Sequence, residues 1–542
     1  MRSEKLFLSL AAVTIVAACG SGNQPRNQYN GGVQNPYDRV VVTDESTIAQ
    51  TVYGKIQGYK DGDVYTFKGV QYAKADRFMP PQPPDKFEGV LKCRIYGPKA
   101  PQGQSFRWDG NPQTDYAFGN QFIREPMDEA GCLVLNVWTK GLNDGMNRPV
   151  FVWIHGGGYS SGSGHDLPCY EGRAMAEKGD IVTITLNHRL NILGYSDLTG
   201  LGGKFSESVN LGMQDIVRAL EWVRDNIAYF GGDPSNVTIG GQSGGGGKVS
   251  TLLAMPSAHG LFQKAIIQSG STIHQLLPEQ TQAFGLAFAK ELGITAANSD
   301  KLSDYSYEDL LAASRAASEK LRKQGIRVTN GSPVVDGKIL PQHPFDPAPE
   351  ISKDIPVIIG TNFNEFSFEN TPLTETEARE QLERRFGDRT DAYIEAFRKV
   401  YPDKTPRQMV SLDLRFRTGA INQATIKSEQ GGAKVYLYLF DWNPTINYLG
   451  ASHGMELPFM FNNVMLQPEM TGNTPDAHKL ETLVSNAWLS FIKTGDPNTS
   501  GLPAWTPFTP EGKDFMVFDN ISKIMKVDEN LDTLLKFGSR PF

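Results

Sequence analysis

Short apolar, β-branched runs alternate along most of the chain with longer stretches whose apolar residues recur at helical spacing. The apolar runs predict buried strands at residues 150–154, 181–186, 237–239, 355–359 and 435–439. The helical spacing predicts helices at residues 211–229 and 248–255. Strands that alternate with helices predict an α/β fold, in which a large, mostly parallel, twisted central sheet is covered by helices on both faces.

A charged, helix-prone segment interrupts this alternation at residues 374–401. Its composition predicts helices rather than sheet, so we expect a cap-like helical insertion here. From residue 38 onward the chain has no internal repeat and no second low-complexity linker. We therefore predict a single domain over residues 38–542.

The N-terminus carries a pattern of its own. Arg2 and Lys5 give a short positive start, and residues 6–18 are nearly all apolar or small, like a signal-peptide core. Cys19 stands at the end of this run, in a sequence that resembles the bacterial lipobox, whose cysteine is acylated. We expect residues 1–18 to be a lipoprotein signal peptide and Cys19 to carry the lipid. The alternative is an ordinary secretory signal that is cleaved at a small residue nearby.

The next segment, residues 19–37, is rich in Gly, Asn, Gln and Pro. Such a segment buries too little apolar surface to fold, so we predict a flexible tether between a membrane and the domain. No later apolar run reaches about eighteen residues, so the sequence predicts no transmembrane helix. The expected location is the bacterial cell envelope, with the lipid as the only membrane attachment. Gly20 and Ser21 resemble outer-membrane sorting residues, while the membrane face stays open.

Composition and charge narrow the classes of function. The net charge of −7 and the isoelectric point near 5.7 lack the basic signature of nucleic-acid-binding proteins. The four cysteines include no CxxC pair and no Cys/His cluster with zinc-ligand spacing. We therefore expect no nucleic-acid partner and no metal site.

The strongest chemical signal is the Gly-Gln-Ser-Gly-Gly pentapeptide at residues 241–245, which lies between a predicted strand and a helix-like run. This context is typical of the GxSxG nucleophile elbow, a tight turn that exposes the serine and needs small residues on both sides. A structural serine in a glycine-rich turn is the alternative, because the chain contains 55 glycines. Ser243 is therefore the candidate nucleophile.

A second glycine-rich loop, His-Gly-Gly-Gly-Tyr at residues 155–159, follows the predicted strand 150–154. Glycines let backbone amides turn into a cleft, where each donor stabilises the oxyanion of acyl transfer by about 2.7–4 kcal/mol. By itself the loop is equally consistent with a flexible glycine turn. Combined with a nucleophile elbow, it is typical of esterases.

A serine nucleophile needs a base that is oriented by an acid. His453 lies in a loop after the predicted strand 435–439, and Glu365 follows the predicted strand 355–359 by a short loop. Open α/β sheets build their sites from loops of this kind. The chain order Ser243, Glu365, His453 is the hydrolase order of nucleophile, acid and base. A histidine or glutamate at such a position, taken alone, is more often structural than catalytic.

These segments together resemble the type-B carboxylesterase family, which includes the cholinesterases and the bacterial para-nitrobenzyl esterases. The resemblance runs from about Thr51 to Phe542, nearly the whole chain after the tether. Further stretches with the family pattern lie at residues 136–138, 155–163, 187–190, 210–212, 230–234, 268–271, 333–337 and 494–497. The resemblance implies an α/β-hydrolase fold.

The resemblance also implies a role for each matching residue. Ser243 matches the family's nucleophile, Glu365 its catalytic glutamate and His453 its base. The positions whose backbone amides form the family's oxyanion hole are Gly157, Gly158 and Gly244.

The sequence departs from the family pattern around the nucleophile and before Cys132. Gln242 stands where the family usually has Glu, which removes a negative charge beside the reaction centre, and Gly244 stands where it usually has Ala. The family's Glu-Asp pair before Cys132 is Ala-Gly here, so its ion pair with Arg77 is lost unless Asp128 or Glu129 compensates.

The cysteines depart from the family pattern as well. The upstream cysteine that pairs with the equivalent of Cys132 is absent from residues 97–101. The pairing that we consider instead is Cys93 with Cys132, which would leave Cys169 free.

The implied function is hydrolysis of carboxylic esters through an acyl-enzyme, without a metal or organic cofactor. We expect a monomer that acts on small to medium, largely apolar esters. An esterase that removes acetyl or aromatic acyl groups from carbohydrate is the alternative substrate class. A non-catalytic adhesion protein is an alternative of a different class; such family members commonly lose the nucleophile, which this chain keeps.

Overall fold

Successive residues of the strand Val435–Phe440 are buried on opposite faces of one large sheet in the computed structural model of the chain. The odd-numbered residues of this strand pack into one apolar core and the even-numbered residues into a second core. Residues 150–154, in another strand of this sheet, alternate in the same way. Strands that are apolar on both faces are typical of a sheet covered by helices on both sides.

The structure describes residues 40–43, 45–103, 126–326, 331–367, 371–445 and 450–538. Their strands are β1 (Val40–Val41), β2 (Ile48–Gln50), β3 (Lys55–Gln57), β4 (Tyr59–Asp61), β5 (Val64–Gln71), β6 (Val90–Lys92), β7 (Val134–Thr139), β8 (Arg148–Ile154), β9 (Val182–Leu186), β10 (Gly232–Gln242), β11 (Lys264–Gln268), β12 (Val357–Asn362), β13 (Val435–Phe440), β14 (Asp514–Phe518) and β15 (Lys523–Lys526). The predicted signal peptide and tether, residues 1–37, lie outside the described residues.

The α-helices of the same residues lie between and after these strands. They are α1 (Arg173–Gly179), α2 (Asn191–Tyr195), α3 (Leu211–Asn226), α4 (Gly244–Leu252), α5 (Pro278–Glu291), α6 (Tyr307–Lys323), α7 (Glu375–Phe386), α8 (Thr390–Val400), α9 (Pro406–Ser411), α10 (Arg415–Glu429), α11 (Leu457–Met460), α12 (Pro468–Thr471), α13 (Pro475–Thr494) and α14 (Glu529–Leu535). Across the described ranges, none of these helices is both long enough and apolar enough to cross a bilayer.

Twelve of the described strands form one sheet, in the spatial order β1-β4-β5-β7-β9-β8-β10-β11-β12-β13-β14-β15. The strands from β9 to β14 in this order run parallel to one another. Antiparallel pairs extend both edges of this parallel centre. β2, β3 and β6 form a separate small sheet. The predicted α/β architecture with a parallel centre is confirmed.

Two amphipathic helices show how the sheet is covered. α3 places Ile216 and Leu220 in the core that holds the odd-numbered residues of β13, and α13 places Val484 and Trp488 in the other core. In each helix the two residues are four positions apart, so they share one face. The two helices therefore bury their apolar faces against opposite sides of the sheet.

The charged segment 374–401 forms α7 and α8, as its composition predicts. Thr374 caps the start of α7: its hydroxyl accepts from the amide of Glu377, whose carboxylate accepts from the amide of Thr374 over 2.8 Å. Leu382 and Phe397 belong to the same apolar core as α3. The insertion therefore packs onto the main body of the domain.

Arg77 finds a carboxylate although the family's usual acidic pair is missing. Its Nη2 lies 2.7 Å from Oε2 of Glu129, and its Nε donates to Oε1 of the same residue over 2.9 Å. Nη1 donates to the backbone carbonyls of Leu302 and Tyr305. Glu129 is thus the residue that compensates for the family's missing acid.

The disulfide considered between Cys93 and Cys132 is not formed, and that pairing is corrected here. Both residues are free, buried thiols, as is Cys169. Cys93 follows β6 of the small sheet, whereas Cys132 lies just before β7 and donates its S–H to the carbonyl of Glu129 over 3.4 Å. Burial raises the pKa of the Cys93 thiol to about 12, so this thiol stays protonated and unreactive at neutral pH.

Candidate active site

The candidate residues follow neighbouring parallel strands at one edge of the large sheet. Ser243 comes directly after β10, the glycine loop 156–158 follows β8, Glu365 lies three residues after β12, and His453 lies in the segment after β13. Parallel strands place their carboxyl ends at the same edge, where open α/β sheets form their sites. The topology therefore brings these four segments together.

Ser243 occupies a strained turn between β10 and α4. Its backbone has φ +57° and ψ −126°, a region that residues with a side chain rarely adopt. A Cβ added to Gly241 would lie 2.4 Å from the carbonyl carbon of Gly245, and one added to Gly245 would lie 2.1 Å from the carbonyl oxygen of Ile154. The turn therefore requires small residues two positions before and after the serine, as predicted.

The glycine loop lies against this turn. Gly157 and Gly158 have φ values of +78° and +63°, in the left-handed region that favours glycine. A Cβ added to Gly244 would lie 2.1 Å from the carbonyl oxygen of Gly158. The structure thus brings the three predicted oxyanion-hole residues together beside Ser243. This close approach leaves no room for the methyl group of the family's usual alanine at position 244.

His453 is held through one of its two ring nitrogens. Its Nδ1 hydrogen-bonds Oε2 of Glu365, and its backbone amide donates to the carbonyl of Glu365 over 2.9 Å. Nε2 is buried and has no hydrogen-bond partner within the described ranges. The ring of Phe366 stacks on the imidazole with 4.2 Å between centroids. This arrangement leaves Nε2 as the nitrogen that is free to take up a proton.

Glu365 is fixed through both carboxylate oxygens and is 1% exposed. One oxygen contacts His453, as described above. The other accepts hydrogen bonds from the hydroxyl of Ser269 over 2.6 Å and from the amide of Asn362 over 2.8 Å. Charge-assisted bonds of this kind fix the orientation of a buried carboxylate, and through it the orientation of the imidazole.

Two further carboxyl groups, which the sequence does not predict as part of the site, lie near Glu365. Glu456 is buried and accepts from Nδ2 of Asn362 over 2.6 Å and from Nε2 of Gln268 over 3.1 Å. Burial and the neighbouring Glu365 raise the pKa of Glu456 to about 7. The same two causes raise the pKa of Asp413 to about 6. The only signal for Glu456 in the sequence is its position three residues after His453.

A cavity of about 250 Å³ opens at this edge of the sheet. Its walls are formed by Gly156, Gly157, Gly158, Ser161, Gly162, Asp166, Leu167, Tyr170, Gln242, Ser243, Phe366 and His453. Leu167, Tyr170 and Phe366 contribute apolar side chains to these walls. Gln242 places a neutral amide beside Ser243, where the family usually has a carboxylate.

The geometry supplies the parts that acyl transfer requires: a hydroxyl in a strained turn, an imidazole oriented by a carboxylate, and a glycine loop with amides beside them. Cys19, the predicted lipidation residue, lies outside the described residues. Among the residues that the structure describes, no group of three or more His, Cys, Asp and Glu side chains is arranged to hold a metal ion.

Comparison with known proteins identifies the family. The model of the carboxylesterase family matches residues 45–534. The chain is 35% identical over 494 residues to the para-nitrobenzyl esterase of Bacillus subtilis (strain 168). This match covers 87% of this chain and 95% of that protein. It is 33% identical over 480 residues to phenmedipham hydrolase of Pseudarthrobacter oxydans, covering 85% of this chain and 92% of that protein.

Solved structures agree with this match. An esterase from the anaerobe Clostridium hathewayi, described as able to hydrolyse aliphatic aromatic polyesters, superposes with a TM-score of 0.83 at 35% identity. The match covers 92% of this chain and 99% of that one. The fold, the elbow and these similarities lead to one conclusion: the chain belongs to the carboxylesterase family and is a serine carboxylesterase with the α/β-hydrolase fold.

Proposed function

We propose that Ser243, His453 and Glu365 form the catalytic triad of this esterase. As Oγ of Ser243 bonds to the ester carbonyl carbon, Nε2 of His453 takes the hydroxyl proton, and the carbonyl electron pair moves onto oxygen. Glu365 holds the imidazole in the tautomer that leaves Nε2 free and stabilises the imidazolium that forms. Collapse of the intermediate breaks the bond to the alcohol, which leaves with the proton from His453.

The second half of the cycle regenerates the enzyme. A water attacks the acyl group on Ser243, again giving its proton to His453, and the acid is released as that proton returns to Oγ. We assign the amides of Gly157, Gly158 and Gly244 to the oxyanion in both halves. Three donors of this kind stabilise developing charge more in the transition state than in the ground state.

The observation that carries this proposal is the hydrogen bond between Nδ1 of His453 and Glu365. It orients the imidazole at the wall of the cavity that Ser243 also lines, with Nε2 unpartnered within the described residues. His155 and His188 also have a buried Nε2 without a partner in the described residues, but neither lines this cavity and each Nδ1 bonds a backbone carbonyl. The bond to a carboxylate and the place at the cavity wall therefore distinguish His453.

We propose small to medium, largely apolar esters as the substrate class. A cavity of about 250 Å³ lies below the usual range of drug-sized pockets, about 300–1,000 Å³. Its apolar side is formed by Leu167, Tyr170 and Phe366. Gln242 adds no charge next to the reaction centre. The names of the similar para-nitrobenzyl esterase and of the aliphatic aromatic polyester hydrolase also favour apolar acyl or aryl groups.

The test is a panel of para-nitrophenyl esters of rising acyl length, with acetylated xylan as a carbohydrate ester. Ser243→Ala is expected to lose the measurable turnover of all of them, because it removes the nucleophile. Ser303→Ala is the control, because Ser303 is exposed and is not among the residues that line the cavity. This variant is expected to retain most of the wild-type activity. Turnover that survives in Ser243→Ala rejects the triad, and a preference for acetylated xylan over simple esters rejects the proposed substrate class.

We also propose that Cys19 anchors the enzyme to the cell envelope through a lipid. The support is the sequence alone: a charged start, an apolar run and a cysteine at its end. Metabolic labelling with a radioactive fatty acid should mark the wild type and the control Cys169→Ala, and both should sediment with membranes. Cys19→Ala should lose both the label and the sedimentation; if it keeps them, the anchor is elsewhere.

A further inference from the structure

A buried lysine links the two segments that form the active site. Lys248 is fully buried in α4, the helix that begins directly after Ser243. Its Nζ donates to the backbone carbonyl of His155 over 3.1 Å and lies 5.6 Å from the ring centroid of Tyr159. His155 is the first residue of the glycine loop, so the ammonium group binds this loop two residues before Gly157.

The imidazoles that lie near Lys248 are neutral, so the lysine is their positively charged neighbour. The imidazoles of His155 and His188 are stacked with 4.9 Å between centroids, and each Nδ1 hydrogen-bonds a backbone carbonyl. Burial and the charge of Lys248 hold the pKa of both imidazoles well below their usual range, so both are neutral at pH 7. The other ionisable groups that face the lysine are the carboxylate of Asp166 and the phenol of Tyr159.

Another lysine shows what a purely structural role looks like in this fold. Lys427 is also fully buried, and its Nζ donates to the backbone carbonyl of Lys353 over 2.8 Å. Lys353 lies just before β12 begins, so Lys427 is at the edge of the sheet opposite the active site. The two lysines share burial and a carbonyl partner, and they differ in their distance from the reacting atoms.

We propose that Lys248 is a positioning residue for the oxyanion hole. Its ammonium holds the peptide that leads into Gly157 and Gly158, so that their amides keep their direction. Its buried charge also favours the negative oxygen that forms when an ester carbonyl is attacked, because a charge acts strongly where water is excluded. The lysine gives up no proton in this role. The inference rests on the acyl transfer proposed above for Ser243.

The main experiment compares Lys248→Met, Lys248→Gln and the control Lys427→Met on para-nitrophenyl acetate. Lys248→Met should lower kcat about 10- to 100-fold with little change in KM, less than the 10²- to 10³-fold loss typical of an oxyanion donor itself. Lys248→Gln keeps a hydrogen-bond donor without the charge, so its kcat should lie between those of the wild type and Lys248→Met. Lys427→Met should leave kcat within about twofold, although both Met variants lower the Tm because each leaves a buried carbonyl unpaired.

A second measurement separates this role from general damage and from failure of the triad. The affinity for an aryl trifluoromethyl ketone, which adds to the serine and forms an oxyanion, should fall in proportion to kcat/KM in Lys248→Met. The variant should still be labelled at Ser243 by an organophosphate. An unlabelled Ser243 in both wild type and variant would refute the triad; a labelled Ser243 with unchanged kcat and inhibitor affinity in both Lys248 variants would refute the role of Lys248.

The wild type provides a test that needs no variant to fold. Burial lowers the pKa of Lys248 to about 7, an effect that Asp166 opposes. As pH rises past this value the ammonium loses its charge, so kcat should decline between about pH 7 and 9 while KM changes little. A kcat that stays level over this range contradicts the inference.

Discussion

Ser269 donates its hydroxyl proton to Oε1 of Glu365 over 2.6 Å, while His453 contacts the other oxygen of the same carboxylate. Ser269 is itself buried and has a positive φ of 46°. Its amide donates to the carbonyl of Gly360 in β12, which fixes the serine beside the strand that carries Glu365. Ser269, which is not among the residues that line the cavity, therefore helps to fix the orientation of the Glu365 carboxylate.

Removing the Ser269 hydroxyl should weaken catalysis without weakening substrate binding. In Ser269→Ala the carboxylate keeps its bond to the amide of Asn362 but loses one of its two fixed contacts on Oε1. We expect kcat for para-nitrophenyl esters to fall about tenfold, roughly the value of one charge-assisted hydrogen bond, with KM nearly unchanged. Ser271→Ala is the control, because its hydroxyl has no partner among the described residues. Equal effects in the two variants would argue against the positioning role of Ser269.

Phe366 should determine how well apolar esters bind. Its ring stacks on His453 and is 57% exposed, so it forms part of the open apolar side of the cavity. Phe366→Ala removes this surface, and we expect KM to rise about three- to tenfold for butyrate and longer esters, with a smaller change for acetate. The measurement is the Michaelis constant over a series of acyl lengths.

An exposed apolar residue that does not line the cavity provides the control for Phe366. Ile521 follows β14, is 85% exposed and is not among the lining residues. Ile521→Ala should leave KM unchanged for every acyl length. A uniform rise of KM in Phe366→Ala that does not depend on chain length would show that the ring acts on His453 rather than on the substrate.

Breaking the ion pair between Arg189 and Asp215 should destabilise the domain. The two side chains are 2% and 0% exposed, and Nε and Nη2 of the arginine donate to the two carboxylate oxygens over 2.8 and 2.6 Å. Asp215→Asn leaves a buried guanidinium without its counter-charge, and we expect a loss of about 3–5 kcal/mol of unfolding free energy. Urea unfolding followed by tryptophan fluorescence measures it. Asp225→Asn, on an exposed pair with Arg224, should change stability by less than about 1 kcal/mol.

Glu456 should make the stability of the folded protein depend on pH. Its folded pKa of about 7 lies above the usual value of about 4.3, so the folded protein holds this proton more tightly than the unfolded chain does. The stabilisation is present below about pH 4.3 and is lost as pH rises towards 7. Glu456→Gln removes this pH-dependent contribution. The unfolding free energy of the variant minus that of the wild type should therefore increase by about 3 kcal/mol between pH 4.5 and pH 8.

The unfolding free energy of Glu456→Gln is compared with that of the wild type at each pH. Burial raises the pKa values of Asp413 and Asp441 to about 6, and these groups contribute equally to the pH dependence of stability in both proteins. Their effect therefore cancels in the difference. A difference that does not vary with pH would mean that Glu456 has the same pKa in the folded and unfolded states.

The sequence predicted those parts of the fold whose signal is local. The run of apolar residues in β13 predicts its bounds closely, and the charged, helix-prone composition of residues 374–401 predicts the helical insertion that α7 and α8 form. The helix α4 was predicted to begin at Lys248, but it begins at Gly244. Four consecutive glycines have low intrinsic helix propensity. A Cβ added to Gly244, Gly245 or Gly246 would lie 2.1 Å from the carbonyl oxygen of Gly158, 2.1 Å from that of Ile154 or 2.9 Å from Cα of Gly270, respectively. Segments distant in the sequence therefore exclude side chains here, a tertiary effect that no local pattern shows.

The sequence could not predict the contacts that depend on which segments meet in space. It left open whether Asp128 or Glu129 would pair with Arg77, and the structure selects Glu129. The pairing of Cys93 with Cys132 was wrong, because spacing along the chain does not determine whether two thiols meet. Ser269 lies in the stretch 268–271, which has the family pattern, but that pattern does not show that its hydroxyl contacts Glu365. Glu456 lies in none of the matching stretches.

The most direct test of the proposed triad is to locate the covalent label left by diethyl para-nitrophenyl phosphate on the full-length enzyme. We expect one phosphorylated residue per chain, on the peptide that contains Ser243, with activity lost in proportion to labelling and no label in Ser243→Ala. Stoichiometric inactivation with the label on a different residue, or an active Ser243→Ala enzyme, would contradict it.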